Sequence, residues 1–265
     1  MRFRGYLTVL SILTIFNGCN LSDDSESNDI VNDLIMAGTD IQSNYTMDMY
    51  SEEALKVGLN KIFFRIIDPD GDLVSNANIT HKPIMYMEDK NHSCPCTDPG
   101  SNANSEKLFE CEIVFIMASG MMGYWDDTIA VDFDNEKLKF AIHDIQVAET
   151  NMKKNLVFDD DGTQAIYLVT LNLEQTEVGL NDFILTVHRK ESMMSFPAVN
   201  DLQISINPQM PDMGHGSEGN VNPVNIGNGK YDGKVAFNMT GYWTIDFLFS
   251  RNNLVLGTIT YEFNF

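Results

Sequence analysis

Short stretches in which apolar and polar residues alternate recur along most of the chain. Examples are "NKIFFRII", "NITHKPIMYM" and "DDTIAVDF" in the first half, and "AIYLVTLNL", "YWTIDFLF" and "LVLGTITYEF" in the second. Alternation with a period of two, in runs rich in Val, Ile, Phe and Thr and bounded by turn residues, predicts half-buried β-strands. No convincing amphipathic helical pattern interrupts these runs. The chain is therefore predicted to be all-β, with a sandwich architecture.

The sequence also contains an internal duplication. "VGLN" occurs at residues 57–60 and again at 178–181, and each copy opens a strand. The same landmarks then follow in the same order, which are Pro83, Met85, Met87, His92, Phe115, Met117 and Trp125 in the first copy, and Pro208, Met210, Met213, His215, Phe237, Met239 and Trp243 in the second. We therefore predict two tandem domains, at residues 41–150 and 151–265, with the boundary near Ala148–Asn155. Each tryptophan is expected to anchor a core.

The N-terminus has the composition of an export signal. Arg2 and Arg4 precede an apolar run at residues 6–16 that is too short to span a bilayer, and "FNGC" follows. This resembles a bacterial lipoprotein signal, with residues 1–18 removed and the lipid on Cys19; the alternative is an ordinary signal peptide. Residues 19–40 include "NLSDDSESND" and are predicted to be a disordered tether. Acidic residues at this place resemble the surface-export signal of Bacteroidota lipoproteins, so we expect an outer membrane lipoprotein facing the periplasm or the cell surface.

The charge balance excludes one class of partner. Removal of Arg2 and Arg4 with the signal leaves 15 of the 17 basic residues against 38 acidic ones, a formal charge of −23. Without a basic patch to neutralise phosphates, nucleic acid is not a partner. No serine sits in a nucleophile elbow, and no pair of carboxylates stands out from the acidic background. We therefore do not expect an enzyme.

The second half carries a resemblance to a known family. The segment "NPQMPDMGHGSEGNVNPVNIGNGKYDGKVAFNMTGYWTIDF" resembles the YtkA-like domain, a small immunoglobulin-like β-sandwich of exported bacterial proteins that is related to the FixH group. The resemblance extends roughly from Asn181 to Phe263. The first half resembles the family only through the internal repeat, because Met85-Tyr86-Met87 replaces Met-X-X-Met. The resemblance implies a periplasmic or surface binding module that handles copper, with a metal-handling or surface protein as partner.

Two methionine and histidine loops are the candidate metal sites. Met210, Met213 and His215 lie in a turn rich in Pro and Gly, and Met239 is a possible fourth ligand. Cu(I) prefers thioether and imidazole ligands, whereas Ca²⁺ and Mg²⁺ prefer oxygen. The corresponding first-half residues are Met85, Met87 and His92. The alternative is that the methionines only pack, and that the chain is a structural or adhesive pair of immunoglobulin-like domains without metal.

Cysteines give the first loop further chemistry. In an exported protein, the expected state is a disulfide, here Cys94 or Cys96 with Cys111. The alternative is a thiolate and thioether site that combines Cys94 and Cys96 with the first-half loop ligands. The remaining histidines lie in strand patterns and are interpreted as surface or core residues; they are His81, His143 and His188.

Overall fold

The structure is a computed structural model that describes residues 31, 33–133, 136–160, 162–173 and 176–265. The signal at residues 1–18 and the lipidation site Cys19 lie outside these residues. Within the described residues, no helix has the length and apolar character needed to cross a membrane.

Strands account for nearly all of the regular structure in the first half. They are β1 (Ile35–Gln42), β2 (Tyr45–Ser51), β3 (Gly58–Ile67), β4 (Asn78–Tyr86), β5 (Asn91–Ser93), β6 (Phe109–Phe115), β7 (Tyr124–Phe133) and β8 (Glu136–Ile145). One sheet has the order β1-β2-β3-β6, and the other has the order β5-β4-β7-β8. Neighbouring strands pair antiparallel in both sheets.

The second half repeats this arrangement. Its strands are β9 (Lys153–Asp160), β10 (Thr163–Asn172), β11 (Gly179–Arg189), β12 (Gln203–Met210), β13 (His215–Gly216), β14 (Val221–Gly227), β15 (Lys230–Phe237), β16 (Tyr242–Arg251) and β17 (Leu254–Asn264). The sheet orders are β14-β15-β11-β10-β9 and β13-β12-β16-β17. A 3-10 turn at Pro211–Met213 separates β12 from β13.

Alternating burial along the strands explains why these sequences form two-layered sheets. In β4, for example, every second residue from Ile79 to Met85 is buried while most of the residues between them face outward. The inward side chains form one core in the first half and another in the second. Trp125 and Trp243 are completely buried in the first and second core, respectively. The all-β sandwich prediction is confirmed, and the tryptophans are core residues.

The duplication is visible in the strand register. Pro83 lies opposite Asp127 where β4 pairs with β7, and Pro208 lies opposite Ile245 where β12 pairs with β16. The loop histidines also occupy equivalent positions. His92 of β5 pairs with Met85, and His215 of β13 pairs with Met210.

One boundary differs from that drawn on the sequence. Residues 35–40, which we assigned to the tether, belong to β1. This strand is an edge strand with mostly exposed side chains, so its sequence lacks the alternation that reveals a strand. The segment around the expected boundary is also bonded, since the Thr150 hydroxyl donates to the Val57 carbonyl at 2.8 Å and β9 begins at Lys153. The limits of the two folding units stay a prediction.

Candidate metal and ligand sites

The second-half loop is a tight turn whose shape follows from its sequence. Pro211 fixes the backbone at the start of the 3-10 turn, and Gly214 ends it in the left-handed region with φ of 67°. The Gly214 amide donates to the Met210 carbonyl at 3.0 Å. The chain therefore reverses within four residues and brings His215 back beside Met210.

His215 is held with one ring nitrogen available. Its Nδ1 lies 3.0 Å from the Gly216 carbonyl oxygen, and because a carbonyl only accepts, Nδ1 carries the proton in this contact. In the neutral ring, Nε2 then has a free lone pair, as a metal ligand requires. The ring centroid lies 6.1 Å from that of Trp243, whose indole nitrogen donates to the Met239 carbonyl at 3.0 Å. His215 and the Met239 backbone thus both lie against the Trp243 indole.

The methionines of this loop differ in exposure. Met210 is only 6% exposed, and its methyl group lies so close to Gly241 that a Cβ there would approach it to 2.5 Å. Met210 therefore also seals the end of the core. Met213 and Met239 are 60% and 39% exposed, so their thioethers reach solvent.

Two acidic residues, Asp212 and Glu262, lie near Tyr242 at the second-half turn. Partial burial, and then the charge of Glu262 with its hydrogen bond and the charge of Asp212, raise the pKa of Tyr242. Tyr242 is the residue after Gly241, which packs against Met210 at the base of the turn. The negative charge near Tyr242 is therefore close to this turn. A cation is therefore favoured there over an anion.

The first half repeats the histidine geometry in a drier setting. The Nδ1 atom of His92 lies 2.9 Å from the Ser93 carbonyl oxygen, and its ring lies 5.2 Å from that of Trp125. The Trp125 indole donates to the Met117 carbonyl at 2.9 Å. Burial, in the first place, lowers the pKa of His92, so its ring is neutral. Its Nε2 atom is buried and has no hydrogen-bond partner within the described part of the chain.

The two other first-half candidates differ in position. Met85 is completely buried in the core, whereas Met87 is partly buried at its margin. His92 and Met87 line a cavity of about 340 Å³ between the halves of the chain. Further walls come from Met117 and Met122 of the first half, and from Met193 and Phe196 of the second. Of these four residues, the sequence pattern identified only Met117, which is one of the landmarks of the repeat.

Lysines surround the same cavity. Lys90, Lys153 and Lys190 belong to its lining. Burial lowers the pKa of Lys153, the charge of Glu149 acts against this, and the nearby charge of Lys190 lowers the pKa further. The first-half histidine therefore faces positive charge, in contrast to its second-half equivalent.

The cysteines of the described chain are free thiols. Cys94 and Cys111 are buried, whereas Cys96 is exposed. Burial raises the pKa of Cys94, and it raises that of Cys111 although the hydrogen bond and charge of His81 lower it. Protonated thiols are poor metal ligands, so these groups do not favour the thiolate site, and the disulfide pairing stays a prediction.

A buried ion pair was missed at the sequence level. His81 Nδ1 lies 2.7 Å from an Asp127 oxygen, and its Nε2 lies 2.9 Å from the Thr97 carbonyl oxygen. Both partners only accept hydrogen bonds, so both ring nitrogens are protonated. Burial alone lowers the pKa of His81, but the charge and hydrogen bond of Asp127 raise it well above its usual value. The equivalent second-half residues are Ile206 and Ile245, so an alignment of the two copies could have identified the pair.

Histidine, cysteine and carboxylate side chains do not form a metal-binding cluster in the described part of the chain. Among the described residues, no group of three or more His, Cys, Asp or Glu is placed to hold a metal ion. The methionine thioethers of the two loops are possible ligands in addition to these residue types.

Comparison with known proteins gives a family match for the second half of the chain. Curated proteins give no significant match. Among solved structures, domains 5-6 of the S-layer protein SbsC are similar at 11% identity and a TM-score of 0.26, over 86% of this chain and 97% of that one. A similarity at this level supports no further conclusion. Residues 163–247 match the family model described as YtkA-like, which confirms, for the second half of the chain, the family that its sequence resembles.

Proposed function

We propose that this chain is an exported lipoprotein binding module whose second-half loop binds Cu(I) through Met213, His215 and Met239. The YtkA-like match supports a secreted or lipoprotein binding module as the general class. The observation that carries the finer proposal is the His215 contact with Gly216, which leaves the Nε2 lone pair available in the same turn as the exposed Met213. Met239, which is also partly exposed, follows the neighbouring strand β15. Copper(I) prefers this combination of soft ligands.

The loop residues have separate tasks in this proposal. Gly216 fixes the ring orientation and tautomer of His215, as second-shell carbonyls do for metal-bound histidines. Met213 and Met239 offer thioether sulfur, which stays unprotonated at any physiological pH. Met210 sets the base of the turn against Gly241. Such a site suits the binding and transfer of an ion. In this proposal the protein is located at the outer membrane, and its partner is a metal-handling or surface protein.

One observation favours a second candidate. Met210 packs in the core, as in a domain whose loop methionines serve stability alone. The chain is then a structural or adhesive pair of immunoglobulin-like domains. In the first candidate the exposed thioethers of Met213 and Met239 bind copper, and in the second they do not. Substitution of these two residues therefore distinguishes the candidates.

The test is a Cu(I) titration of the purified chain against a competing chelator of micromolar affinity. The Met213→Ala, Met239→Ala double variant should bind Cu(I) at least tenfold more weakly, since two ligands are lost. Met36→Ala removes a methionine of β1 that is 52% exposed and serves as the control. Equal affinity for the parent and the double variant would establish the structural candidate instead.

A further inference from the structure

The cavity between the two halves combines an apolar interior with positive charge at its edge. We propose that it binds a small amphipathic carboxylate of the medium-chain fatty acid class. Its volume of about 340 Å³ is within the range of small-molecule sites, which begins at about 300 Å³. The proposal concerns a different site from the copper loop and does not rest on it.

The interior fits an aliphatic chain. Met87, Met117 and Met193 line it with flexible, polarisable side chains, and Phe196 adds an aromatic wall. Methionine side chains adapt to irregular apolar ligands because they are unbranched and rotate freely. The two halves of the chain are also joined beside the cavity, where the Ser93 amide donates to the Met193 carbonyl at 2.9 Å. This hydrogen bond connects a first-half strand to a residue of the second-half cavity wall.

The charge at the edge selects an anion. The full chain has a formal charge of −21, yet Lys90, Lys153 and Lys190 line this one cavity. Within the described residues, none of these ammonium groups takes part in an ion pair, although Glu149 lies near Lys153. Lys153 and Lys190 repel each other, and a carboxylate between them would remove that repulsion. The same charges disfavour a bare metal cation at His92.

His92 adds a polar contact inside the apolar region. Its Nε2 is an acceptor that is buried against the cavity and finds no donor among the residues described. A buried acceptor without a donor is destabilising by about 1–3 kcal/mol in proteins generally, so the site favours a ligand or water that donates there. An ionised carboxylate has no hydrogen to donate, so this atom is left to a water molecule and the headgroup is placed at the lysines.

The experiment is calorimetric titration of the purified chain with decanoate. Decyltrimethylammonium has the same chain with the opposite charge, and acetate has the same headgroup without the chain. We expect saturable 1:1 binding of decanoate alone. The Lys153→Gln, Lys190→Gln double variant should bind at least tenfold more weakly, and Met193→Glu, which places a negative charge in the wall, should abolish binding.

Lys154→Gln is the matched control. Lys154 is adjacent to Lys153, but its ammonium group lies over the Tyr261 ring at 5.5 Å, away from the cavity lining. Its affinity for decanoate should change less than twofold. Equal binding of the cationic and anionic amphiphiles, or an equal loss in the Lys154 variant, would overturn the proposal. Cu(I) binding that requires His92 and excludes decanoate would also overturn it, whereas failure to bind decanoate leaves the Met213 and Met239 test unaffected.

Discussion

The buried pair of His81 and Asp127 can be exchanged for the residues that the second half uses at the same positions. Both side chains are completely buried, 2.7 Å apart, and one oxygen of Asp127 has no hydrogen-bond partner among the described residues. Ile206 and Ile245 hold the equivalent places in β12 and β16. The perturbation is therefore the set His81→Ile, Asp127→Ile and the double variant.

The expected magnitudes differ in sign between the single and double changes. Removing one partner leaves the other charge buried and uncompensated, which generally destabilises a protein by about 3–5 kcal/mol. Replacing both by apolar residues of similar size is generally neutral or stabilising by about 1–4 kcal/mol. We therefore expect each single variant to lose several kcal/mol of unfolding free energy and the double variant to recover it. The recovery should be visible as a strong coupling in a double-mutant cycle.

The assay is urea unfolding at pH 7, monitored by tryptophan fluorescence and circular dichroism. The transition whose midpoint shifts in the single variants is assigned to the first core. His143→Ala is the control, because His143 pairs with Asp126 at 2.8 Å but is 71% exposed. A surface pair of this kind contributes less than about 1 kcal/mol. A double variant as unstable as either single variant would refute the reasoning, as would a cost for Asp127→Ile no larger than that for His143→Ala.

The remaining predictions concern pH, the lipid and the domain boundary. Burial lowers the pKa of His188 to about 4, so the unfolded chain binds more protons between pH 6.5 and pH 4, and stability should fall by about 3 kcal/mol as the pH drops through this window. His188→Leu should remove that part of the slope in thermal unfolding, and an unchanged slope would contradict it. Replacement of Cys19 by Ala should release the protein from the membrane fraction; unchanged fractionation would argue against lipidation. Limited proteolysis should cut first within Ala148–Asn155, and first cleavage inside β10 would disprove this boundary.

The long strands could be predicted from the sequence because their burial is local. In β7 and β16 the alternation of apolar and polar residues directly records which side faces the core. The short strands could not be predicted in this way. β5 has three residues and β13 has two, too few for a period, and they exist as strands only because Met85 and Met210 pair with them.

The cavity between the two halves could not be predicted from the sequence, for a different reason. Its lysines come from a loop of the first half, from the start of β9, and from the segment after β11, and each looks locally like an ordinary surface residue. Only the packing of one half against the other brings Lys90 and Lys190 to the same opening. Met117 and Met193 likewise line the same cavity only because the two halves contact each other. Non-local sites of this kind leave no periodic signal.

The duplication places the same backbone arrangement in two different charge environments. Both copies place a histidine opposite a methionine, tie its Nδ1 to the next carbonyl and set the ring against a buried tryptophan. These contacts fix the direction of the Nε2 lone pair, but they do not decide what binds there. The two copies differ in the charge nearby, because Glu262 and Asp212 act on Tyr242 at the second-half turn, whereas Lys90, Lys153 and Lys190 act on His92. If both proposals hold, one backbone arrangement presents a histidine to a cation in one copy and lies beside an anion site in the other, and the charged residues around each loop account for the difference.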